Sequence, residues 1–291
     1  AEALLRFDLG VYRHISPEMV VDRVKEADIV IFAGGISPSL EGEEMYSVNS
    51  PGFAGGDRTS IELPQVQRDI LKALKTAGKK VVFVNCSGSA VALVPEMESC
   101  DAILQAWYPG QAGGLAVADV LFGDFNPSGK LPVTFYKNTD QLPDFEDYSM
   151  KNRTYRYMTE VPLFPFGYGL SYTTFDISKG RLNKKTISAG QDLNFKVNVK
   201  NTGKYDGAEV IQVYVRKVDD AEGPIKSLRA FRRVPLKAGE TCVVSIDLLP
   251  NTFEFFDPTT NTMRIMPGKY EIMYGNSSDI PSGNKLSVTL R

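Results

Sequence analysis

Three glutamates crowd one short segment, Gly34-Gly35-Ile36-Ser37-Pro38-Ser39-Leu40-Glu41-Gly42-Glu43-Glu44-Met45, directly after an apolar run that reads as a buried strand. Carboxyl groups this close raise one another's pKa, and an acid still protonated near neutral pH can give its proton to a leaving group. The plainer reading, a loop of solvated charges, stays open on composition alone. Position favours chemistry, because ligands bind beyond the carboxyl ends of the strands in open α/β sheets. Two further loops, Asn85-Cys86-Ser87-Gly88-Ser89-Ala90 and Tyr108-Pro109-Gly110-Gln111-Ala112-Gly113-Gly114, follow later strands. Their serines and glycines can bind hydroxyl-rich ligands, and are equally common in tight turns.

Other chemistries fall away. His14 is the sole histidine, which argues against Ser-His-Asp or Cys-His catalysis within this chain. No His, Cys and carboxylate grouping has metal-ligand spacing, and the glycines form neither a dinucleotide nor a phosphate-loop motif, so no cofactor is expected. The net charge is only -2 and the basic residues run no longer than pairs such as Arg232-Arg233, which gives nucleic acid no basic stripe to bind. No run nears the ~20 apolar residues of a membrane span. Cys86, Cys100 and Cys242 are far apart and odd in number, so they mark no disulfide framework.

The positioning elements read in two textures. Ser16 as cap, Pro17 at the first helical position and Val20, Val21, Val24 and Ala27 on one stripe predict a helix, followed by a buried strand over 28–34. A second helix is expected over Pro64–Ala77 with Gly78 as its stop, and a second buried strand over Lys80–Asn85. A third strand is expected over Ala102–Trp107, then a small-residue helix over Gly113–Leu121. Continuous apolar strands alternating with amphipathic helices imply a mainly parallel sheet with helices on both faces. After an irregular stretch over 137–170, alternating runs over 193–199, 209–215, 241–248 and 268–274 imply an antiparallel β-sandwich. The domain reading is 1–13 as the trailing strand of a preceding or inserted domain, since Ala3–Leu9 is a strand without a partner before it, then 14–136 as α/β, 137–170 as irregular linker and 171–291 as all-β.

Several ordered motifs together resemble glycoside hydrolase family 3. The most specific is Tyr108-Pro109-Gly110-Gln111-Ala112-Gly113-Gly114 continuing to Asn126-Pro127-Ser128-Gly129-Lys130-Leu131-Pro132. Gly56-Asp57-Arg58, Ile61-Glu62-Leu63-Pro64 and Phe164-Pro165-Phe166-Gly167-Tyr168-Gly169-Leu170-Ser171-Tyr172 support it, as does a trailing part similar to fibronectin type III. The resemblance implies a (β/α)8 barrel carrying the nucleophilic aspartate, then an α/β sandwich whose loop gives the general acid/base glutamate, then the fibronectin-like domain. This chain would hold only the second and third, so by itself it is expected to hydrolyse nothing.

Carried residue by residue, the resemblance puts the acid/base at Glu41, with Glu43 as second choice because Met45 to Gly55 intervene before the Asp57-Arg58 pair that many relatives place closer. Ser39, Glu43, Asp57, Arg58 and Ser87 would bind the sugar. The implied reaction is retaining hydrolysis of terminal β-linked sugars, with carboxyls ~5 to 5.5 Å apart. The Gln111 form of the motif and Arg153-Thr154-Tyr155-Arg156-Tyr157 look like members acting on β-xylosides, with β-glucosides next. The implied partners are oligosaccharide or plant-polysaccharide fragments and the barrel, with a homodimer left open, in a periplasmic or secreted setting. A reading of another class is a non-catalytic carbohydrate-binding or assembly module, with Tyr214, Phe253, Phe255, Phe256 and Tyr270 stacking on sugars rather than packing a core.

Overall fold

Ser16 opens helix α1, Pro17–Arg23, as its type predicts: its hydroxyl accepts from the Met19 amide at 3.4 Å. The computed structural model describes residues 16–40, 51–55 and 57–291, so His14, the strand expected at Ala3–Leu9 and Glu41, Glu43 and Glu44 lie outside the described residues. The chain divides into two compact units, 1–110 and 111–291, and each is taken by itself.

In the first unit, strand β1 (Ile29–Gly35) leads to a short antiparallel pair, β2 (Phe53–Ala54) and β3 (Asp57–Arg58), in which Phe53 lies opposite Arg58. Helix α2, Gln65–Thr76, follows Pro64 and buries Ile70, Leu71 and Leu74 on one stripe. Gly78, at φ +77°, ends it where the expected stop lies, and the Lys79 amide closes back onto Leu74 O at 3.1 Å. Strand β4 (Lys80–Cys86), helix α3 (Val94–Ser99) and strand β5 (Ala102–Gln105) complete the unit. The three strands form an all-parallel sheet in the order β1-β4-β5. β4, the central strand, reads as a near-continuous apolar run, as a strand buried on both faces does, with Val81, Phe83 and Val84 buried. Each large side chain so buried contributes about 1.5 to 3 kcal/mol.

The second unit opens with α4 (Gly113–Phe122), ended by Gly123 at φ +87°, and passes through a four-residue helix, α5 (Thr154–Tyr157). The sandwich then runs through β6 (Phe175–Leu182), β7 (Thr186–Ile187), β8 (Leu193–Asn201), β9 (Gly207–Lys217), β10 (Ser227–Leu236), β11 (Thr241–Leu248), β12 (Glu254–Asp257), β13 (Thr262–Ile265), β14 (Gly268–Gly275) and β15 (Lys285–Leu290). One sheet has the order β10-β9-β14-β15-β7 and the other β11-β8-β6, with β12 and β13 paired beside them. Phe195, Val197 and Val199 of β8 and Ile211, Val213 and Val215 of β9 meet in the core between the sheets.

The stretch over 137–170, expected as a linker, is irregular yet tied to this sandwich. Tyr155 stacks on Phe166 with ring centroids 4.3 Å apart, meets Tyr214 of β9 edge-on at 5.7 Å, and accepts the Leu228 amide on its hydroxyl at 3.1 Å. Gln212 donates to Gly167 O at 3.0 Å. β9 is therefore covered on both faces, which is why its Val210-Ile211-Gln212-Val213-Tyr214-Val215 shows so little polar alternation.

Candidate active site at the carboxyl edge of the parallel sheet

The launch point of the acidic segment is built from backbone. Gly35 ends β1 at φ +121°, and a Cβ there would sit 2.0 Å from Cys86 O, so only glycine fits. The next amide, that of Ile36, donates to that same Cys86 oxygen at 2.9 Å, and the Tyr108 hydroxyl donates to Ile36 O at 2.7 Å. Ile36 is buried, and the chain reaches solvent at once: Ser37, Pro38 and Ser39 are exposed, and the Leu40 amide turns back to Ser37 O at 3.0 Å. Beyond the acidic segment, Pro51 is exposed.

The sequence motif Asp57-Arg58 sits on β3, with Asp57 exposed and Arg58 half-buried. The Arg58 guanidinium donates to Ser60 O at 3.2 Å, Ser89 Oγ at 2.9 Å and Ala90 O at 3.3 Å. It thereby joins the β2–β3 pair to the loop after β4. In that loop Ser87 is fully buried: its hydroxyl donates to Ser89 O at 2.9 Å and accepts from Gln105 Nε2 at 3.1 Å. The expectation that Ser87 touches a sugar hydroxyl thus meets a side chain engaged with protein on every side, one that shapes the loop from beneath. Asn85, also buried, donates to Gln105 Oε1 at 2.6 Å, while its own Oδ1 has no hydrogen-bond partner among the described residues. A buried orphan acceptor costs about 1 to 3 kcal/mol.

The structure therefore places Ser39 just past β1, Asp57 and Arg58 on β3 and Ser87 just past β4, with Arg58 reaching that last loop through Ser89 and Ala90, whereas Glu41 and Glu43 fall outside the described residues. It adds groups that sequence reasoning passed over. Trp107, the sole tryptophan, takes φ 57° just past β5, a left-handed conformation costing a bulky residue about 1 to 2 kcal/mol. Its singularity was the available signal. Deeper in the unit Glu96, 1% exposed, lies 3.1 Å from Arg68 Nε, and burial pushes its carboxyl up against the pull of that guanidinium. Among the described residues no group of His, Cys, Asp and Glu could hold a metal ion, and no helix is long and apolar enough to cross a membrane.

The aromatics of the binding-module reading lie elsewhere. Tyr214, Phe253, Phe255 and Tyr270 are buried in the second unit, and only Phe256 is exposed. Burial pushes the Tyr270 phenol up to about 12. Four of the five are thus core residues with no face free for a sugar.

Comparison with known proteins agrees with this architecture. The model of the glycosyl hydrolase family 3 C-terminal domain matches residues 14–172, and that of the fibronectin type III-like domain matches 209–278. A xylan 1,4-beta-xylosidase of Xylanibacter ruminicola is 58% identical over 288 residues, covering 99% of this chain and 33% of that protein. A periplasmic beta-glucosidase of Salmonella typhimurium is 38% identical, covering 90% of this chain and 35% of that protein. A β-glucosidase structure from Erythrobacter marinus superposes with a TM-score of 0.81 at 34% identity, over 94% of this chain and 36% of that one. The Listeria innocua beta-glucosidase in complex with isofagomine gives 0.78 at 31% identity, over 96% and 39%. The chain spans about a third of the length of the curated relatives it matches. It belongs to glycosyl hydrolase family 3, carrying that family's C-terminal domain joined to a fibronectin type III-like domain.

Proposed function

We propose that this chain is the acid/base-bearing part of a retaining, exo-acting β-glycosidase, with terminal β-xylosides favoured as substrate and β-glucosides next. Glu41 is the general acid/base, with Glu43 as second choice. The nucleophilic aspartate belongs to a (β/α)8 barrel that docks against the carboxyl edge of the sheet. In the first step the carboxylate of that aspartate attacks the anomeric carbon, and Glu41 gives its proton to the departing glycosidic oxygen. In the second, the Glu41 carboxylate takes a proton from water, whose oxygen displaces the aspartate and releases the sugar. Glu43 and Glu44 beside it favour the protonated starting state. Ser39, Asp57 and Arg58 line the sugar, and Ser87 holds the loop that carries Ser89. No cofactor enters.

The observation that carries the catalytic assignment is the launch of the Glu41 segment, through Gly35 and a buried Ile36, from the carboxyl end of a parallel strand straight into solvent. The substrate preference rests on the 58% identity to a xylan 1,4-beta-xylosidase. A periplasmic or secreted site of action suits a polysaccharide-derived substrate, and one relative is named periplasmic. The test joins the chain to its barrel and compares aryl β-xyloside with aryl β-glucoside in Glu41→Ala and Glu43→Ala. Loss confined to Glu41→Ala supports the assignment. Equal activity in both variants, or full turnover by the chain without the barrel, contradicts it.

A further inference from the structure

Among the described residues β1 is an edge strand. The amide of Ile36 points inward, to Cys86 O at 2.9 Å. Because polar groups of successive residues in a strand point to opposite sides, the N–H and C=O of Gly35 point away from β4. Both are met by one side chain. The Gly35 amide donates to Gln67 Oε1 at 2.8 Å, and Gln67 Nε2 donates to Gly35 O at 2.6 Å. A carboxamide supplies one acceptor and one donor side by side, so it meets both backbone groups as a neighbouring strand would. The fit is shaped for it: a Cβ on Gly34 would lie 2.5 Å from Gln67 Oε1. Gln67 is itself fixed in the first turn of α2, its amide donating to Pro64 O at 2.9 Å.

We infer that Gln67 is a positioning residue for the proton donor: its two-point grip on Gly35 sets the direction in which residues 36 to 40, the lead-in to Glu41, leave the sheet. This rests on the reading of Glu41 as acid/base. The grip acts on the last residue before the chain turns to solvent, and a displacement of about 1 Å at the reacting atoms costs on the order of 100-fold in rate. Leucine keeps the bulk of Gln67 and removes both hydrogen bonds. Glutamate keeps the acceptor for the Gly35 amide and, when ionised, has no proton for Gly35 O.

The test uses the intact enzyme and two substrates, a phenyl β-xyloside, whose poor leaving group needs the acid, and a 2,4-dinitrophenyl β-xyloside, whose leaving group does not. Gln67→Leu is expected to lose roughly 10- to 100-fold in kcat/KM, which reports the glycosylation step, on the phenyl substrate and little in kcat/KM on the dinitrophenyl one, with faster hydrogen exchange in the peptide spanning 29–40. Gln67→Glu should fall between wild type and leucine, and decides the matter if Gln67→Leu does not fold. Equal loss on both substrates, or unchanged exchange, would overturn the inference. If instead Glu41→Ala responds equally to both leaving groups, it is the acid/base reading that fails.

Discussion

The β-sandwich and the carboxyl edge of the parallel sheet use the same kinds of side chain to opposite ends. In the sandwich a continuous apolar core does the packing: β8 alternates buried and accessible residues along its length, and Phe195, Val213 and Tyr270 share that core. Its buried charge pair is fully engaged, with Lys130 Nζ 2.7 Å from Glu209 Oε1 and Asn276 donating to Glu209 Oε2 at 2.9 Å. At the sheet edge the balance reverses. Asn85, Ser87, Gln105 and Gln67 occupy space that a packing-driven design would give to aliphatic groups, Asn85 Oδ1 has no partner among the described residues, and Gly35 and Trp107 hold positive φ. A strand end that only glycine fits, with polar side chains gripping the loops around it, is what a positioned site looks like when stability has been given up for geometry.

That contrast can be broken from either side. Phe195→Ala in the sandwich core should remove about 3 to 5 kcal/mol of stability, seen as a lowered denaturant midpoint, while kcat of the remaining folded enzyme stays as it was. Gly35→Ala should cost about 2 to 4 kcal/mol from the left-handed backbone and the clash with Cys86 O, and should also depress kcat in whatever fraction folds. A core-only explanation of Gly35 predicts the stability loss without the loss in turnover.

A smaller effect concerns pH. Burial raises the Glu96 carboxyl, so the folded state binds this proton more tightly than the unfolded one. Glu96 therefore adds stability that is fully present below the ordinary glutamate value of ~4.3 and is lost as pH rises through the folded value. Asp101 works with the opposite sign: its carboxylate, lowered first by the Val81 amide and then by Lys75, loses its contribution as pH falls. The difference in unfolding free energy between wild type and Glu96→Gln should accordingly shift against wild type from pH 4 to pH 7. A difference that does not vary with pH would remove Glu96 from this account.

Periodicity carried the supporting frame well. The stripe of Ile70, Leu71 and Leu74 with Gly78 behind it is legible as α2, and the runs at 193–199 and 241–248 are legible as β8 and β11, because one-sided burial imposes its period on the sequence. α3 was not legible, since Val94–Ser99 is too short to show a period. β10 was not either: Arg229, Arg232 and Arg233 interrupt its alternation, and Phe231 is exposed. The candidate site was legible as a set of loops but not as contacts. Nothing in the residue types distinguishes a Ser87 that faces a ligand from one that is buried beneath a loop. Nor does a glutamine on the first turn of a helix announce that it grips a strand edge far away in sequence.

The most direct measurement is azide rescue of Glu41→Ala in the enzyme joined to its barrel. With the 2,4-dinitrophenyl β-xyloside, glycosylation needs no acid, and the step that lacks its base should be restored by azide with release of the β-xylosyl azide, after a loss of about 100- to 10,000-fold on a poor leaving group. An unrescued variant, or one as active as wild type on a phenyl β-xyloside, would contradict the account.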